Sequence, residues 1–168
     1  PEAVRRRVAE GSYDAVTLVH SETSTGVLND VAALSAAIRE TPDTLVLVDS
    51  VTGFGAAEVR PDDWGVDFLL TGSQKAFALP PGLSFGVASE RMMHRAADAP
   101  RRGYYFDLEF FAKNHAKNQA TTTPAVSVLY SLDVQLDRML EEGMEARWAR
   151  HQRMAKRSWK WVDEMRDR

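Results

Sequence analysis

The chain has 168 residues, a formal net charge of −3 and no cysteine, so it can bury one sizeable core but can form neither disulfides nor thiolate metal sites. The slightly acidic charge argues against a nucleic-acid-binding protein, which normally carries a basic excess. No apolar run approaches the roughly 20 residues of a membrane span and the charged N-terminus lacks a signal-peptide core, so we expect a cytoplasmic protein without nucleic-acid or membrane partners.

Strand-like apolar runs alternate with helical patterns over the first ninety residues, and helical patterns alone follow. This alternation is typical of right-handed crossovers and predicts an α/β fold with a mainly parallel sheet. The first predicted elements are a helix over 2–10 with Gly11 as its C-terminal cap, a strand over 15–20, and a helix capped by Asp30 and stopped by Pro42. Three more strands are predicted over 44–49, 66–70 and 84–89. The remaining predicted elements are helices over 90–97 and 108–117, a helix from the 121–124 cluster to about residue 142, and a last helix.

The last predicted helix has an apolar side and a basic side. We expect the apolar side to pack against the protein and the basic side to be solvated, with membrane or RNA contact as the alternative. The apolar side consists of Met144, Trp148, His151, Ala155, Trp159 and Val162. The basic side consists of Arg147, Arg150, Arg153, Lys156, Arg157 and Lys160.

Two of the predicted parallel strands lead into candidate functional residues. Asp49 ends the apolar run 45–48, and Lys75 follows strand 66–70 within the segment Thr-Gly-Ser-Gln-Lys-Ala at 71–76. Ligands of open α/β sheets bind beyond the C-terminal ends of the strands. A carboxylate and an amine brought to that edge therefore form a candidate site.

Each of these residues also has a purely structural interpretation. Lys75 could be a solvated surface charge, although its small and apolar neighbours favour a partly desolvated amine of the kind that forms Schiff bases. Asp49 could stabilise the turn that follows, or it could be a buried carboxylate paired with a cation such as a protonated pyridine nitrogen.

Two clusters of hydroxyl side chains leave similar alternatives open. The cluster at 23–25 could cap the next turn or, beside an acid and an amine, could bond a phenolic oxygen or a substrate carboxylate. The three threonines at 121–123 could form a helix N-cap, and hydroxyls at a helix N-terminus can also bind phosphate.

Three further segments do not support other kinds of chemistry. The glycines at 53 and 55 lack the third glycine of a dinucleotide fingerprint, and the segment 72–75 lacks the first glycine of a P-loop. His20-Ser21-Glu22 is similar to a deaminase zinc motif, which requires cysteines that this chain does not have. The four histidines show no metal-ligand spacing, so we predict no metal site.

Taken together and in order, five segments resemble the class V, fold-type I pyridoxal-phosphate aminotransferases, and within them the alanine/serine–glyoxylate aminotransferase group. The resemblance implies a three-layer α/β/α arrangement. Residues 1–141 would be part of the cofactor-binding large domain, and residues 142–168 would form a helix that leads to a C-terminal small domain. The five segments are 20–26, 48–51, 63–67, 71–76 and 122–124.

The resemblance also implies roles for individual residues. Lys75 would form a Schiff base with the aldehyde of pyridoxal 5'-phosphate and would then move a proton between substrate and cofactor. Asp49 would pair with the pyridine nitrogen, and Val51 would pack against one face of the ring. Thr23 would hydrogen-bond the phenolic oxygen, with Ser24 as the alternative if the register differs by one.

Further implied contacts concern the phosphate group of the cofactor. Gln74 would lie beside the phosphate or the phenolic edge. Thr122 would serve the phosphate of the neighbouring subunit, which implies a homodimer with its site at the interface. Gln119 stands where related enzymes often carry a tyrosine, which puts that contact in doubt.

The implied reaction moves an amino group from a small amino acid, alanine or serine, to a 2-oxo acid, glyoxylate or pyruvate. The family's upstream phosphate loop, its ring-stacking aromatic residue and its later small domain with a carboxylate-binding arginine are not in this chain. We therefore expect these 168 residues not to turn over by themselves.

Two alternative functions remain at this stage. The first is a lyase or desulfurase on the same fold. Desulfurases usually have a histidine before the lysine and a catalytic cysteine loop, so Gln74 and the lack of cysteine argue against one. The second, from a different class, is a non-catalytic remnant that keeps the fold and dimerises.

Overall fold

The computed structural model describes residues 1–166, which form seven helices and six strands. In chain order these are α1 (Glu2–Glu10), β1 (Ala15–Val19), β2 (Ser21–Glu22), β3 (Val27–Leu28), α2 (Val31–Arg39), β4 (Leu45–Asp49), α3 (Pro61–Trp64), β5 (Phe68–Gly72), β6 (Ser84–Ala88), α4 (Glu90–Asp98), α5 (Leu108–His115), α6 (Val126–Glu142) and α7 (Met144–Arg166).

Four of the strands form one sheet in the order β1-β4-β5-β6, and β2 pairs separately with β3. Strands β1, β4 and β5 run parallel, whereas β6 runs antiparallel to β5. The parallel strands therefore end at a common edge, where Val19 lies beside Asp49 and Asp49 lies beside Leu70. The predicted α/β class with a mainly parallel sheet is confirmed.

Helix α2 is positioned by its cap and by its apolar side. Asp30 Oδ1 accepts a hydrogen bond of 2.9 Å from a backbone N–H of the first turn, as predicted. Val31 and Ile38 are seven residues apart, so they lie on one side of the helix, and both are buried against Val46 of β4. Burial of one such side chain stabilises the fold by about 1.5–3 kcal/mol, and it holds the strand that ends in Asp49.

Helix α6 packs beside this core through a second apolar cluster. Leu132 and Met139 are buried together with Phe77, which lies just beyond Lys75 in the chain. The opposite face of the sheet carries Val19 and Leu70, both of which are exposed. The remaining helical layer of the predicted three-layer arrangement would have to cover these two residues.

A buried carboxylate joins β4, β5 and α4. Asp67 is only 2% exposed. One of its oxygens accepts from Val46 N at 2.8 Å, and the other accepts from Arg91 Nε at 2.9 Å and from Ser89 Oγ at 3.0 Å. Burial acts to raise the pKa of Asp67, but the hydrogen bonds from Arg91, Val46 and Ser89 outweigh it and leave the pKa below its ordinary value.

The start of β5 and the conformation of Gly11 after α1 differ from the predictions. Strand β5 begins at Phe68 rather than at residue 66, because Val66 still belongs to the turn after α3, where its N–H donates to Pro61 O. Gly11 does not form a left-handed cap, since its φ of −117° is extended. A Cβ at this position would lie 2.3 Å from the ring of Tyr13, so a side chain there would require the tyrosine ring to move.

The threonines at 121–123 do not cap α6. That helix begins at Val126, and Ala125 occupies the cap position without a side-chain hydrogen bond. A proline follows the threonine cluster, and the residue before a proline is disfavoured in helical conformation. Helix formation is therefore delayed until after Pro124.

Helix α7 packs through its first half only. Trp148 and His151 are half-buried, but Trp159 and Val162, predicted on the same apolar side, are exposed. The prediction of a solvated basic side is wrong for Arg147, which is only 7% exposed because its guanidinium finds acceptors inside the protein. None of the helices in residues 1–166 is long and apolar enough to cross a membrane.

The junction between the last two helices lies at the predicted domain boundary. Helix α6 ends at Glu142, α7 begins at Met144, and Gly143 between them has a φ of +79°, which favours glycine. The division into residues 1–141 and 142–168 stays a prediction, and its last two residues lie outside the described part of the chain.

Candidate active site

The backbone around Asp49 is fixed on both sides. His20 N donates to Asp49 O at 2.8 Å, and Ser50 N donates to Leu70 O at 2.9 Å. These two hydrogen bonds extend the parallel pairing one residue beyond β1 and β4. The position of Asp49 at the sheet edge is therefore set by strand pairing and not by loop conformation.

The side chain of Asp49 is exposed. Its Oδ1 accepts a hydrogen bond of 2.9 Å from the backbone N–H of Val51, which is half-buried in the following turn. The contact expected of a turn-stabilising aspartate is therefore present, and the side chain is exposed rather than buried. The pairing of Asp49 with a pyridine nitrogen stays a prediction. The bond to Val51 also orients the carboxylate.

Lys75 lies in a closed loop that Ser73 holds together. Ser73 is completely buried, its N–H donates to Leu83 O at 3.1 Å and its Oγ donates to Pro80 O at 2.7 Å. Lys75 O accepts from Ala78 N at 2.9 Å, and Ala78 has a φ of +56°, a left-handed conformation that costs free energy for alanine. The backbone that carries Lys75 is therefore well constrained.

The side chain of Lys75 is exposed, so the predicted partial desolvation of its amine is wrong for the described chain. Of its apolar neighbours, Phe77 turns away into the core. Gln74 is also exposed, and its side chain lies against Gly72, where a Cβ would be 2.6 Å from Gln74 Oε1. Within residues 1–166, neither Lys75 nor Asp49 takes part in an ion pair.

The structure distinguishes between the two candidate hydroxyl groups, which lie in the turn between β2 and β3. Thr23 Oγ1 lies 2.7 Å from Thr52 Oγ1, which joins it to the turn that follows Asp49. Ser24 instead directs its N–H and hydroxyl to Glu22 Oε1, at 2.8 and 2.7 Å, and these hydrogen bonds lower the pKa of Glu22. Thr23 is therefore the hydroxyl held beside the Asp49 turn.

Thr122 is exposed in the segment before α6. Within residues 1–166, no side-chain hydrogen bond links it to Asp49, Lys75 or Thr23. The structure thus brings the acid, the amine and the Thr23 hydroxyl to one edge of the sheet. Its predicted role toward a neighbouring subunit stays a prediction.

His20 and Ser50 are additional residues of this edge for which the sequence predicts no role in the site. His20 is buried, and its Nδ1 lies 2.9 Å from Ser50 Oγ. Its ring also meets the edge of Trp64, with the ring centroids 6.2 Å apart. A Cβ on Gly53 would lie 2.3 Å from the imidazole, so the turn needs glycine there. The available signal is positional, because both residues directly follow paired strand ends.

We expect acid to destabilise the fold through His20. Burial lowers the pKa of His20, so the folded protein favours the neutral imidazole, and stability is lost as the pH falls from the unfolded pKa toward the lowered one. Chemical denaturation between about pH 7 and 5 should show a loss of up to roughly 1.4 kcal/mol per pH unit from this group. The slope should decrease in His20→Asn.

The matched control for this prediction is His94→Asn, because His94 is exposed on α4. That variant should keep the wild-type pH dependence. Part of the slope should also persist in His20→Asn, since burial lowers the pKa of His151 as well. An unchanged slope in His20→Asn would contradict the assignment of acid sensitivity to His20.

Comparison with known proteins places this arrangement in a family. A sequence profile described as Aminotransferase class-V matches residues 3–167. The chain belongs to the class-V aminotransferase family. This class-V chain is 40% identical over 164 residues to alanine–glyoxylate aminotransferase 1 of Saccharomyces cerevisiae, with 92% of the chain and 43% of the relative covered. It is 38% identical over 144 residues to serine–glyoxylate aminotransferase of Arabidopsis thaliana, with 84% and 36% covered.

Solved structures of class-V aminotransferases share the fold. The crystal structure of an alanine–glyoxylate aminotransferase from Nostoc sp. superimposes with a TM-score of 0.90 at 28% identity, covering 97% of this chain and 44% of that one. The chain spans about 40% of the length of the relatives it matches. Its fold is therefore that of a fold-type I pyridoxal-phosphate enzyme.

Class-V membership implies pyridoxal phosphate as the cofactor, and the residues present fit it. An aldehyde requires an amine, and a pyridine nitrogen requires an acid. Lys75 and Asp49 supply these two groups at one edge, both exposed and neither taken up by an ion pair within residues 1–166. Thr23 adds a hydroxyl that is already held beside the Asp49 turn.

Proposed function

We propose that this class-V chain contributes the lysine and the acid of a pyridoxal-phosphate aminotransferase. The enzyme would move an amino group from alanine or serine to glyoxylate or pyruvate. The observation that carries the proposal is the shared edge, because Asp49 and the Lys75 loop follow adjacent parallel strands and both side chains are exposed there. The names of the yeast and Arabidopsis relatives support the choice of substrates.

The bound cofactor would supply an electron sink for the negative charge that develops on the substrate carbon. Lys75 Nζ would hold the cofactor aldehyde and, once released by the substrate, would carry the proton at that carbon. The Asp49 carboxylate would keep the pyridine nitrogen protonated. The Thr23 hydroxyl would donate to the phenolic oxygen, while Val51 and Gln74 would contact the ring face and the phosphate edge.

The constrained backbone of the Lys75 loop supports the two proposed roles of Lys75, which are to hold the cofactor and to carry the proton. A proton can be transferred efficiently only when the amine is held near the reacting carbon. The hydrogen bonds of Ser73 and the turn between Lys75 and Ala78 restrict the backbone, whereas the exposed side chain can still move. Lys75 can therefore alternate between holding the cofactor and shuttling the proton without rebuilding its loop.

The test follows the reaction of the purified chain with the cofactor and with an amino acid. The chain is mixed with pyridoxal phosphate, and one half is reduced with borohydride and mapped by mass spectrometry. The other half is treated with L-alanine before reduction. We expect a label on Lys75 in the first half. In the second half we expect less label on Lys75, because the amine of alanine exchanges with the lysine at the cofactor aldehyde, and we expect no pyruvate, because these 168 residues are not expected to turn over by themselves.

Other outcomes of this test identify other functions. Ammonia released together with pyruvate from serine would indicate a lyase, and sulfide released from cysteine would indicate a desulfurase. A label that persists unchanged with every amino acid would indicate a non-catalytic remnant. No preference for Lys75 over the exposed Lys113 would contradict the proposed site.

We also propose a homodimer in which Thr122 serves the site of the other subunit. The exposure of its side chain supports a role toward a neighbouring subunit. Light scattering should give twice the chain mass. Thr122→Ala should weaken pyridoxal phosphate binding, whereas Thr123→Ala, also exposed, should not. A monomer that labels Lys75 normally would contradict this arrangement.

We further propose a cytoplasmic location. A chain without cysteine is compatible with a reducing compartment. Cell fractionation with an antibody against the chain tests the proposal, and recovery in a membrane or organelle fraction would contradict it.

A further inference from the structure

One buried arginine contacts the backbone of both loops at the proposed active edge. Arg147 Nε donates to Gly55 O at 2.9 Å, and Arg147 Nη2 donates to Ala76 O at 2.6 Å. Gly55 lies in the turn that follows Asp49, and Ala76 directly follows Lys75 in the chain. A single guanidinium on α7 therefore connects the loop of the acid with the loop of the amine.

The two loops also lie close to each other at this point. A Cβ built on Gly55 would lie 3.4 Å from the Cβ of Ala76, and Gly55 has a φ of +81°, which favours glycine. The carbonyl groups that accept from Arg147 thus belong to backbone segments that lie close together. The guanidinium, with several donors in one plane, fits the two acceptors together.

The charge of Arg147 is balanced inside the same cluster. Its Nη1 donates to Glu142 Oε2 at 3.0 Å, and Arg150 Nη2 donates to the same oxygen at 2.9 Å. The hydrogen bonds from Arg150 and Arg147 lower the pKa of Glu142 to about 2, against the opposing effect of desolvation. Glu142 therefore stays ionised near neutral pH, and the guanidinium keeps its partner there.

We infer that Arg147 is a positioning residue for Lys75. It acts through the Ala76 carbonyl, fixing the backbone next to the amine relative to the turn that follows Asp49. The inference rests on the proposed function, since it assigns Lys75 the catalytic role. A lysine at position 147 would keep the charge but could not bridge two carbonyls and a carboxylate in one plane.

The test compares Arg147→Lys with the matched control Arg150→Lys. Both arginines bond Glu142, but only Arg147 also bonds Gly55 O and Ala76 O. Hydrogen exchange is followed at Ala78 N and Leu79 N, which donate to backbone carbonyls within the Lys75 loop. We expect exchange at these amides to be about ten- to hundred-fold faster in Arg147→Lys, because charge-assisted hydrogen bonds are lost.

Exchange at the amides of β4 should not change in either variant, which separates a local effect from global unfolding. Should Arg147→Lys fail to fold, Glu142→Gln removes the charged partner while leaving the two carbonyl contacts. That variant should show about three-fold faster exchange at the same loop amides, a smaller effect because only one ion-pair contact is weakened. Unchanged loop exchange in whichever of these variants folds would overturn the inference.

The cofactor supplies a second readout that separates the two proposals. Borohydride-fixed labelling of Lys75 should be about ten-fold slower in Arg147→Lys than in Arg150→Lys, with labelling of the surface residue Lys113 unchanged in both. Absence of Lys75 labelling in the wild-type chain would overturn the proposed function, whereas the exchange result would still report whether Arg147 orders the loop. Normal Lys75 labelling together with normal loop exchange in Arg147→Lys would overturn only the positioning role.

Discussion

Replacement of Lys75 by arginine should abolish the pyridoxal label at the sheet edge while leaving the fold intact. An arginine guanidinium cannot lose its proton in a protein and so cannot attack an aldehyde. Lys75 is exposed and makes no ion pair within residues 1–166, so its removal should not affect stability. Borohydride reduction followed by peptide mapping measures the label directly.

The matched control is Lys113→Arg, because Lys113 is an exposed lysine on α5 that pairs with Glu109 at 3.7 Å. This variant should keep the Lys75 label and lose only nonspecific reaction at position 113. In any preparation that catalyses transamination, the Lys75→Arg substitution should lower the transamination rate by roughly 10²–10⁴-fold, which is the usual contribution of a positioned proton carrier. Equal labelling of the Lys75→Arg and Lys113→Arg variants would contradict the assignment of Lys75 as the lysine that binds the cofactor.

The largest loss of stability is expected from Asp67→Asn. Asp67 is buried and bonds Arg91, Ser89 and Val46 N, so the substitution leaves the guanidinium without its countercharge. Breaking one half of a buried ion pair costs roughly 3–5 kcal/mol, a large part of the 5–15 kcal/mol that is typical of a folded domain. Equilibrium unfolding in urea measures the difference.

The same helix provides the control for this prediction. Arg95 on α4 pairs with Asp14 at 3.2 Å, but the Asp14 side chain is 98% exposed, compared with 2% for Asp67. Asp14→Asn should therefore cost no more than about 1 kcal/mol. Similar losses in the two variants would mean that burial does not decide the strength of the Asp67 pair.

Asp67 should also contribute to acid sensitivity. Its pKa is lowered in the folded state, so its stabilising contribution is present above the unfolded pKa and is lost as the pH falls through the lowered value. This loss should occur below about pH 4, whereas the loss from His20 should occur between about pH 7 and 5. The two groups can therefore be distinguished in a single pH titration of stability.

Local chemistry was sufficient for most of the element assignments. The Asp30 cap and the apolar spacing of Val31 and Ile38 identify α2, because capping and amphipathicity depend on residues close together in the chain. The cap assigned to the threonines at 121–123 is wrong because the following Pro124 delays the helix. The helical pattern likewise cannot predict the burial of Arg147, because the carbonyl groups that accept its hydrogen bonds lie 71 and 92 residues away in the chain.

The sequence by itself determined the α/β class, the family resemblance and the edge at which Asp49 and Lys75 would meet, because runs of apolar residues and the order of motifs are local properties. Only the tertiary structure decided how those residues are held. Strand pairing sets the Asp49 backbone, Ser73 closes the Lys75 loop, and Arg147 joins the two loops. These hydrogen bonds join residues far apart in sequence, so their partners exist only once the sheet and helices have packed.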